Sequence, residues 1–178
     1  MTTSVNSVVI NKDDQGYRAE YTDFPVESIH QQDVNIDVDY STLNYKDALA
    51  ITGKGPVVRT FPMIPGIDLA GTVTDSKSDE FKVGDKVLLN GFGVGEKYLG
   101  GLSSKASMSA DWIIPLPANL TPKQAMQIGT AGYTAMLSII ALEKQGITPQ
   151  SGEILVAGAN GGVGSFAIYL YIVSVDIF

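Results

Sequence analysis

The sequence predicts a β-rich barrel of the α+β class, followed by a helical bridge and by one β-α unit of a parallel α/β domain. Residues 34–40 alternate apolar and polar side chains with a period of two, which is typical of a strand with one solvated face. Helical patterns begin only after Leu120. A glycine-rich stretch, residues 158–164, then separates two apolar runs. Together these observations predict a barrel domain that is followed by the start of a second domain.

The barrel domain is predicted to span residues 1–120. Four further segments in it are strand candidates, and glycine- and proline-containing turns such as Pro65-Gly66 separate them. These candidates are residues 5–10, 17–21, 68–74 and 86–89. Several short strands with frequent turns indicate a partly open barrel.

A helical bridge is predicted over residues 121–150. Thr121 is suited to cap the first helix and Pro122 to its first position, while Gln124 completes a capping box with Thr121. Two apolar helical segments follow, at residues 125–128 and 133–143, and a short link at residues 129–132 separates them. The second segment is expected to end near Gly146.

Residues 151–178 are predicted to start a cofactor-binding domain. An apolar strand candidate, residues 154–157, precedes the glycine-rich turn, and a second apolar run, residues 166–170, follows it. Such glycines permit a tight bend and a close approach of the backbone to a pyrophosphate at the following helix N-terminus. The spacing is G-x-x-G-x-x-G, so a strand-turn-helix unit packed closely through glycines would show the same pattern. No G-K-[ST] follows, which excludes a nucleoside triphosphate loop.

A second glycine cluster lies at residues 91–95 and is followed by Gly100 and Gly101. No helical period follows it, because the chain continues through polar residues toward an apolar segment at residues 112–114. This context predicts a flexible barrel loop and not a phosphate site.

Composition excludes some classes of partner. The 178 residues carry 12 Lys and Arg against 19 Asp and Glu, a formal net charge of −7. The basic residues are scattered, so no basic stripe is available for a nucleic acid backbone, and we expect no nucleic acid partner. Residues 1–11 lack the basic and apolar regions of a secretory signal, so we expect a cytoplasmic location.

The chain contains no cysteine and one histidine, His30. Disulfides, thiol chemistry and thiolate zinc ligands are therefore excluded. His30 lies in a polar stretch without a second histidine nearby. We therefore expect no metal site and a solvated role for His30.

The apolar segment at residues 154–175 carries no charge and is about long enough, at roughly 20 residues, to span a bilayer. The glycine cluster and Asn160 in its first half weaken a continuous helix, and basic and aromatic anchors at both ends are missing. We therefore expect no membrane span there.

Six stretches in one order give this sequence a family resemblance. They are LNYKDALAITG at residues 43–53, FPMIPGIDLAGTV at residues 61–73, GFGVGE at residues 91–96, ADW at residues 110–112, IGTAGYTAM at residues 128–136, and the glycine-rich turn at residues 158–164. The chain resembles the medium-chain dehydrogenase/reductase superfamily, and most of all its zinc-free branch of quinone oxidoreductase-like and acrylyl-CoA reductases. The absence of cysteine agrees with that zinc-free branch.

The resemblance implies a GroES-like barrel as catalytic domain, followed by a Rossmann domain that binds NADPH. It implies hydride transfer to the β-carbon of an activated alkene, such as an acyl-CoA thioester, or reduction of a quinone. Donors are then required near the carbonyl oxygen and a proton source near the α-carbon. The resemblance also implies that the parent enzyme is a homodimer.

Individual positions acquire roles through the same resemblance. Tyr45 matches a residue against the nicotinamide end of the cofactor, Asn44 and Asp47 would line the catalytic cleft, and Thr130 matches a position near the cofactor. The predicted pyrophosphate-binding residues are Gly161, Gly162, Val163, Gly164, Ser165, Phe166 and Ala167. Without the resemblance, the residues favour a structural interpretation: Tyr45 as an aromatic at the edge of a short core helix, Asn44 as a helix cap and Asp47 as a charge at the helix start.

After Leu170 the sequence departs from the family pattern. The family continues through further β-α units, whereas residues 171–178 form an apolar ending that matches none of them. We therefore expect a Rossmann domain that is incomplete in this chain, a C-terminal truncation, and poor activity. Two alternatives stay open: a non-enzymatic GroES-like interaction module and an inert fragment.

Overall fold

The computed structural model describes residues 3–175. The chain divides into two compact units between Gln127 and Ile128, and each unit is described separately. The domain boundaries predicted at residues 120 and 150 stay a prediction.

The first unit consists mainly of strands, with two short helices. Its strands are β1 (Ser4–Asp13), β2 (Gly16–Pro25), β3 (Val34–Ser41), β4 (Asp68–Ser76), β5 (Lys86–Asn90), β6 (Lys105–Met108) and β7 (Ile114–Pro115). Its short helices are α1 (Val26–Ile29) and α2 (Tyr45–Thr52). All five predicted strands are confirmed, because local alternation and turn residues identify them without knowledge of their partners.

The strands form two antiparallel sheets. β1 and β2 pair along their full length as a hairpin. The other five strands form a sheet with the order β6-β3-β4-β5-β7. Isolated bridges from β1 to Met63 and Ser103 tie the hairpin to the segments that flank this sheet. The arrangement places β3 and β4 in the interior of the larger sheet.

The main core lies on one face of the larger sheet. Its buried residues are Val34, Ile36, Leu69, Val73, Phe81, Val87, Leu89, Val94, Ala106, Met108 and Ile113. Each large aliphatic side chain contributes about 1.5–3 kcal/mol by leaving water. Asn35 departs from the predicted alternation because it is also buried, and its Nδ2 donates to Asp75 Oδ2 at 3.3 Å. The pairing of β3 with β4 has a register shift between Asn35 and Ile36.

Helix α3 (Pro122–Lys144) begins as predicted and is kinked at Gly129, where φ is 52° and ψ is −161°. The capping box is confirmed: the Thr121 N–H donates to Gln124 Oε1 at 3.0 Å, and the Gln124 N–H donates to Thr121 Oγ1 at 3.2 Å. Gly146 follows the helix with a φ of 79°, which is the conformation of a glycine helix stop.

Thr121→Ala is expected to lower the free energy of unfolding by about 1 kcal/mol, because the Gln124 N–H loses its acceptor. Ser138→Ala removes an exposed hydroxyl in the middle of the same helix and should change stability by less than about 0.5 kcal/mol. Urea denaturation of both variants measures the difference. Equal stabilities of the two variants would show that the cap does not stabilise α3.

The second unit contains the later part of α3 and helix α4 (Gly162–Val175). The helix predicted after the glycine-rich turn is therefore confirmed. The strand predicted at residues 154–157 is not formed. A strand needs a neighbour for its backbone hydrogen bonds, and none lies beside this segment in the described residues. Leu155 is consequently 94% exposed.

One helix in residues 3–175, α3, is long and apolar enough to cross a membrane by length and composition alone. The core helix of a soluble protein meets the same criteria, and α3 is interrupted by its kink at Gly129. The apolar segment considered above is helical only from Gly162. At 14 residues, α4 is about 21 Å long, shorter than the hydrocarbon core of a bilayer.

Candidate functional site

The predicted catalytic residues lie at the start of α2. Asn44 immediately precedes the helix, and Tyr45 is its first residue. The Tyr45 side chain is 81% exposed, so a ligand can contact its ring without any change in the core. Asn44 is half-buried. The position at a helix edge agrees with both readings of Tyr45.

Asp47 faces the interior. It is 1% exposed, and its Oδ2 accepts the Asn44 N–H at 2.8 Å. Its Oδ1 accepts the N–H groups of Gly66 and Ile67, both at 3.1 Å. Asp47 thus caps α2 and fastens it to the segment before β4. Its carboxylate satisfies buried backbone donors, and the expectation that Asp47 lines the catalytic cleft stays a prediction.

Burial raises the pKa of the Asp47 carboxyl above its ordinary value, because loss of water disfavours the charged form. The N–H donors of Asn44 and Ile67 lower the pKa, and the charge of Asp68 raises it. The net direction is upward, which means that the fold favours the protonated carboxyl relative to the unfolded chain.

The stability contribution of Asp47 is expected to decrease as pH rises. Between the ordinary and the raised pKa, the unfolded chain releases its proton first, so the folded state binds more protons in that window. The difference in unfolding free energy between the wild-type chain and Asp47→Asn should therefore fall in urea titrations as pH rises from the ordinary pKa of an aspartate, about 3.9, through the raised pKa of Asp47. A difference that stays flat or grows with pH would contradict the raised pKa.

A second buried carboxylate, Asp68, lies at the start of β4 and is 0% exposed. Asn44 Nδ2 donates to its Oδ2 and Asn90 Nδ2 donates to its Oδ1, both at 2.9 Å. Sequence reasoning did not assign a role to Asp68 or Asn90. The available signal was an acid between Ile67 and Leu69 at the start of an apolar strand, since a buried acid requires partners.

The glycine cluster at residues 91–95 forms a loop after β5, and no helix follows it, as predicted. Phe92 has a φ of 56°, which is uncommon for an aromatic residue. Its ring lies 6.4 Å from the Trp112 ring with an interplanar angle of 16°, and the Tyr98 ring lies 4.5 Å from Trp112. These ring contacts join the loop to Trp112, the last residue of a short 3-10 helix (Ala110–Trp112).

The glycine-rich turn of the second unit passes directly against α4. Gly158 has a φ of 67°, a conformation that favours glycine. The Gly161 N–H donates to Gly158 O at 2.9 Å. A β-carbon on Gly164 would lie 2.2 Å from Gly158 O. The glycines therefore meet a requirement for close packing, and they also leave the start of α4 without bulky side chains.

The first turn of α4 presents free backbone donors. The Ser165 N–H donates to Gly161 O at 2.9 Å and is the first donor that can reach a carbonyl four residues back in this helix. The N–H groups of Gly162, Val163 and Gly164 precede it and have no carbonyl inside the helix. The first turn contains no acidic residue. This end of α4 therefore suits an anion.

The other predicted cofactor residues have side chains engaged within the second unit. The Ser165 hydroxyl donates to two carbonyls of the first turn, at 2.9 and 3.0 Å. Ala167 is 7% exposed. The Phe166 ring lies over Gly132, where a β-carbon would come within 3.4 Å of it. Thr130 is half-buried just after the kink. The Ser165 side chain is therefore bonded to the backbone at the start of α4, and the Phe166 ring packs against α3 at Gly132.

A groove of about 580 Å³ runs along the glycine-rich turn. Leu142 of α3, Leu155 of the preceding segment and Ala167 of α4 line it, together with Gly161 and Gly162. The groove leaves space beside the backbone of the turn, which is where a pyrophosphate would meet the free donors of α4.

Residues 30–118 match the family described as the alcohol dehydrogenase GroES-like domain. The chain belongs to this family. Its barrel is the GroES-like domain of a medium-chain dehydrogenase/reductase, so the resemblance drawn from the six sequence stretches is confirmed.

Curated relatives extend the match beyond the GroES-like domain. The probable acrylyl-CoA reductase AcuI of Escherichia coli (strain K12) is 58% identical over 138 residues, covering 78% of this chain and 43% of that protein. The acrylyl-CoA reductase AcuI of Ruegeria pomeroyi is 48% identical over 169 residues, covering 91% and 50%. The putative quinone oxidoreductase YhfP of Bacillus subtilis is 42% identical over 168 residues, covering 94% and 51%. The chain spans about half the length of the curated relatives it matches.

Solved structures of relatives have the same fold over about half of their length. The yhdH oxidoreductase from Salmonella enterica in complex with NADP has a TM-score of 0.92 and 49% identity, covering 96% of this chain and 52% of that one. Bacillus subtilis yhfP with NAD bound has a TM-score of 0.87 and 41% identity, covering 94% and 51%. The predicted fold class, a GroES-like barrel followed by the start of a Rossmann domain, is confirmed.

Proposed function

We propose that this chain is part of an NADPH-dependent oxidoreductase that reduces an activated alkene or a quinone by hydride transfer. Relatives named as acrylyl-CoA reductases and a putative quinone oxidoreductase support the reaction class. A structure in complex with NADP supports the cofactor, and the NAD-bound relative makes NADH the competing cofactor to test. The proposed substrates are small molecules: an acyl-CoA thioester such as acrylyl-CoA, or a quinone.

The observation that carries the proposal is the start of α4. Three N–H groups, those of Gly162, Val163 and Gly164, have no acceptor within the helix, and no acidic residue stands in the first turn. Gly161 and Gly162 have no side chain that could block a phosphate. These features fit a pyrophosphate, which would accept hydrogen bonds from the backbone and benefit from the helix dipole. The proposed role of Ser165, Phe166 and Ala167 is to hold this backbone in place.

The first unit is proposed to serve the reacting end. Bound NADPH supplies the hydride for the β-carbon of the alkene, while a proton is added at the α-carbon. Tyr45 offers an exposed aromatic face for a planar ring and a hydroxyl that can donate a hydrogen bond. Asn44 and Asp47 are proposed to hold the start of α2, since an Asn44 amide hydrogen is already donated to Asp68.

Further parts of the proposal follow from the family. We propose that the chemistry uses no metal, that the protein is cytoplasmic, and that the parent enzyme is a homodimer. Thr130 is proposed to lie near the cofactor. The residue ranges proposed as domains are 1–120 for the catalytic barrel, 121–150 for the bridge and 151–178 for the start of the cofactor domain.

Turnover with NADPH deuterated at the transferring position of the nicotinamide tests the reaction. Acrylyl-CoA should give a propionyl thioester with one deuterium at the β-carbon and a solvent-derived proton at the α-carbon. The assay is run on this chain and on the chain extended to the length of its relatives, and we expect much lower turnover from the chain alone. Absence of deuterium transfer in both proteins would contradict the proposed function. Ring-like assemblies without NADPH consumption would favour an interaction module instead.

Tyr45→Ala is expected to reduce kcat/KM for acrylyl-CoA about 10-fold or more through loss of alignment at the reacting end. Stability should change by less than about 0.5 kcal/mol because the ring is exposed. Tyr21→Ala is the matched control, since Tyr21 is 75% exposed on β2. The proposed role of Tyr45 is excluded if both variants show the same kcat/KM as the wild-type protein.

A further inference from the structure

Asp68 connects three segments of the first unit that are distant in sequence. Its side chain accepts the amide of Asn44, which precedes α2, and the amide of Asn90, which ends β5. Its backbone carbonyl accepts the Ser41 hydroxyl at 2.8 Å at the end of β3. Asp68 also stands directly opposite Asn90 in the pairing of β4 with β5. A movement of Asp68 would therefore be transmitted to the start of α2 and to the loop after β5.

The partners shown for this carboxylate are neutral amides. Asn44 Nδ2 reaches one oxygen and Asn90 Nδ2 reaches the other, each at 2.9 Å. A carboxylate presents acceptors on both oxygens and no donor, so it can hold two amide groups at a fixed separation. Because Asp68 is 0% exposed, water does not replace either bond without opening the unit. This geometry sets the distance between Asn44 and Asn90.

The neighbouring Asp47 reinforces the same arrangement. It accepts the N–H groups of Asn44, Gly66 and Ile67, so the backbone of Asn44 is bound by one buried carboxylate and its side chain by the other. The Gly91 N–H donates to Ile67 O at 2.8 Å, which joins the start of the loop after β5 to the same segment.

We infer that Asp68 is a positioning residue for the reductase reaction, which fixes the start of α2, and with it Tyr45, relative to the loop after β5. This inference rests on the proposed function, because Tyr45 matters only if it serves the reacting end. Asp68 acts through Asn44 and Asn90 and touches neither cofactor nor substrate. Its proposed contribution to the reaction is the separation of the two amides.

Two substitutions separate position from charge. Asp68→Ala removes both acceptors and frees Asn44 and Asn90. In Asp68→Asn the new amide oxygen can accept from Asn44, whose own oxygen stays on the Asp47 N–H in the capping box, and the new NH₂ group can donate to Asn90 if the Asn90 amide turns over. The separation is then kept while the charge is lost. Asp79→Ala, which removes an exposed carboxylate after β4, is the matched control.

The first measurement uses ¹⁵N-labelled chain and follows hydrogen exchange of the side-chain amides. The Asn44 and Asn90 amides should exchange much faster in Asp68→Ala than in the wild-type chain, and the backbone signal of Tyr45 should shift. Asp79→Ala should keep the wild-type behaviour, and Asp68→Asn should keep the slow exchange of the Asn44 amide and the wild-type signal of Tyr45. Unchanged exchange and an unchanged Tyr45 signal in Asp68→Ala would overturn the inference. Asp68→Asn keeps the test decisive if Asp68→Ala does not fold.

The second measurement is turnover with NADPH and acrylyl-CoA in the chain extended to the length of its relatives. Asp68→Ala should lower kcat about 10- to 100-fold, as expected for misplacement of a reacting group, with the KM for NADPH changed less than about 3-fold. Asp68→Asn should stay within about 3-fold of the wild-type kcat. An Asp68→Asn variant as impaired as Asp68→Ala would overturn the inference in favour of a role for the charge. If the wild-type protein itself does not oxidise NADPH, the proposed function fails, and the exchange measurement alone decides the role of Asp68.

Discussion

Gly164→Ala is expected to abolish NADPH binding by the second unit. Its β-carbon would lie 2.2 Å from Gly158 O, so either the turn or the first turn of α4 must move. Both groups are backbone, and neither can rotate away as a side chain would. Overpacking of this kind costs about 1–3 kcal/mol, and the displaced N–H groups of α4 no longer converge on one phosphate.

The expected result is measured by thermal unfolding with and without NADPH. At a concentration of 100 times Kd, binding should stabilise the wild-type chain by about 2.7 kcal/mol, and this increment should be absent in Gly164→Ala. Gly55→Ala is the matched control, because Gly55 lies outside the glycine-rich turn and its β-carbon would come no closer than 3.4 Å to the Leu49 side chain. A wild-type increment in both variants would show that the glycine-rich turn does not bind the cofactor.

Among the substitutions proposed for the first unit, Asp47→Ala is expected to lower the free energy of unfolding most. Three backbone N–H groups, those of Asn44, Gly66 and Ile67, lose their acceptor. An unsatisfied buried donor costs about 1–3 kcal/mol, so we expect a loss of about 3–5 kcal/mol in the free energy of unfolding. Urea denaturation measures this loss. Turnover should fall with it, because Tyr45 is the first residue of the same helix.

Asp47→Asn is expected to have an intermediate effect on the free energy of unfolding. Its amide oxygen can still accept from Gly66 and Ile67, but its NH₂ group faces the Asn44 N–H, so we expect a loss of about 1–2 kcal/mol. Asp79→Ala should cost less than about 0.5 kcal/mol. The predicted order of stability is Asp79→Ala, Asp47→Asn and then Asp47→Ala. Asp47→Ala as stable as Asp79→Ala would mean that these hydrogen bonds do not hold the start of α2.

Features that depend on neighbouring residues could be predicted from the sequence. Alternation identified β3, and the spacing of Thr121 and Gln124 identified the cap of α3, because both are properties of a few consecutive residues. The structural interpretation of Asn44 as a helix cap and of Asp47 as a charge in the first turn also agrees with the hydrogen bond between them. The glycine spacing indicated the tight turn before α4.

Features that depend on residues distant in the sequence could not be predicted from the sequence. The segment at residues 154–157 has the composition of a strand, but strand formation requires a neighbour that its own residues do not supply. The inward orientation of Asp47 follows from Gly66 and Ile67, which lie 19 and 20 positions away. The Asp68 carboxylate accepts hydrogen bonds from Asn44 and Asn90, which lie 24 and 22 positions away. Only the fold shows that these two acids are buried and which donors they meet.

The cofactor site at the start of α4 is tested most directly by titrating ¹⁵N-labelled chain with NADPH and following its backbone amide signals. We expect saturable shifts of the Gly161, Gly162, Val163 and Gly164 signals, and no such shifts in Gly164→Ala. Saturable binding that leaves these signals unchanged, or the absence of any binding to the wild-type chain, would contradict it.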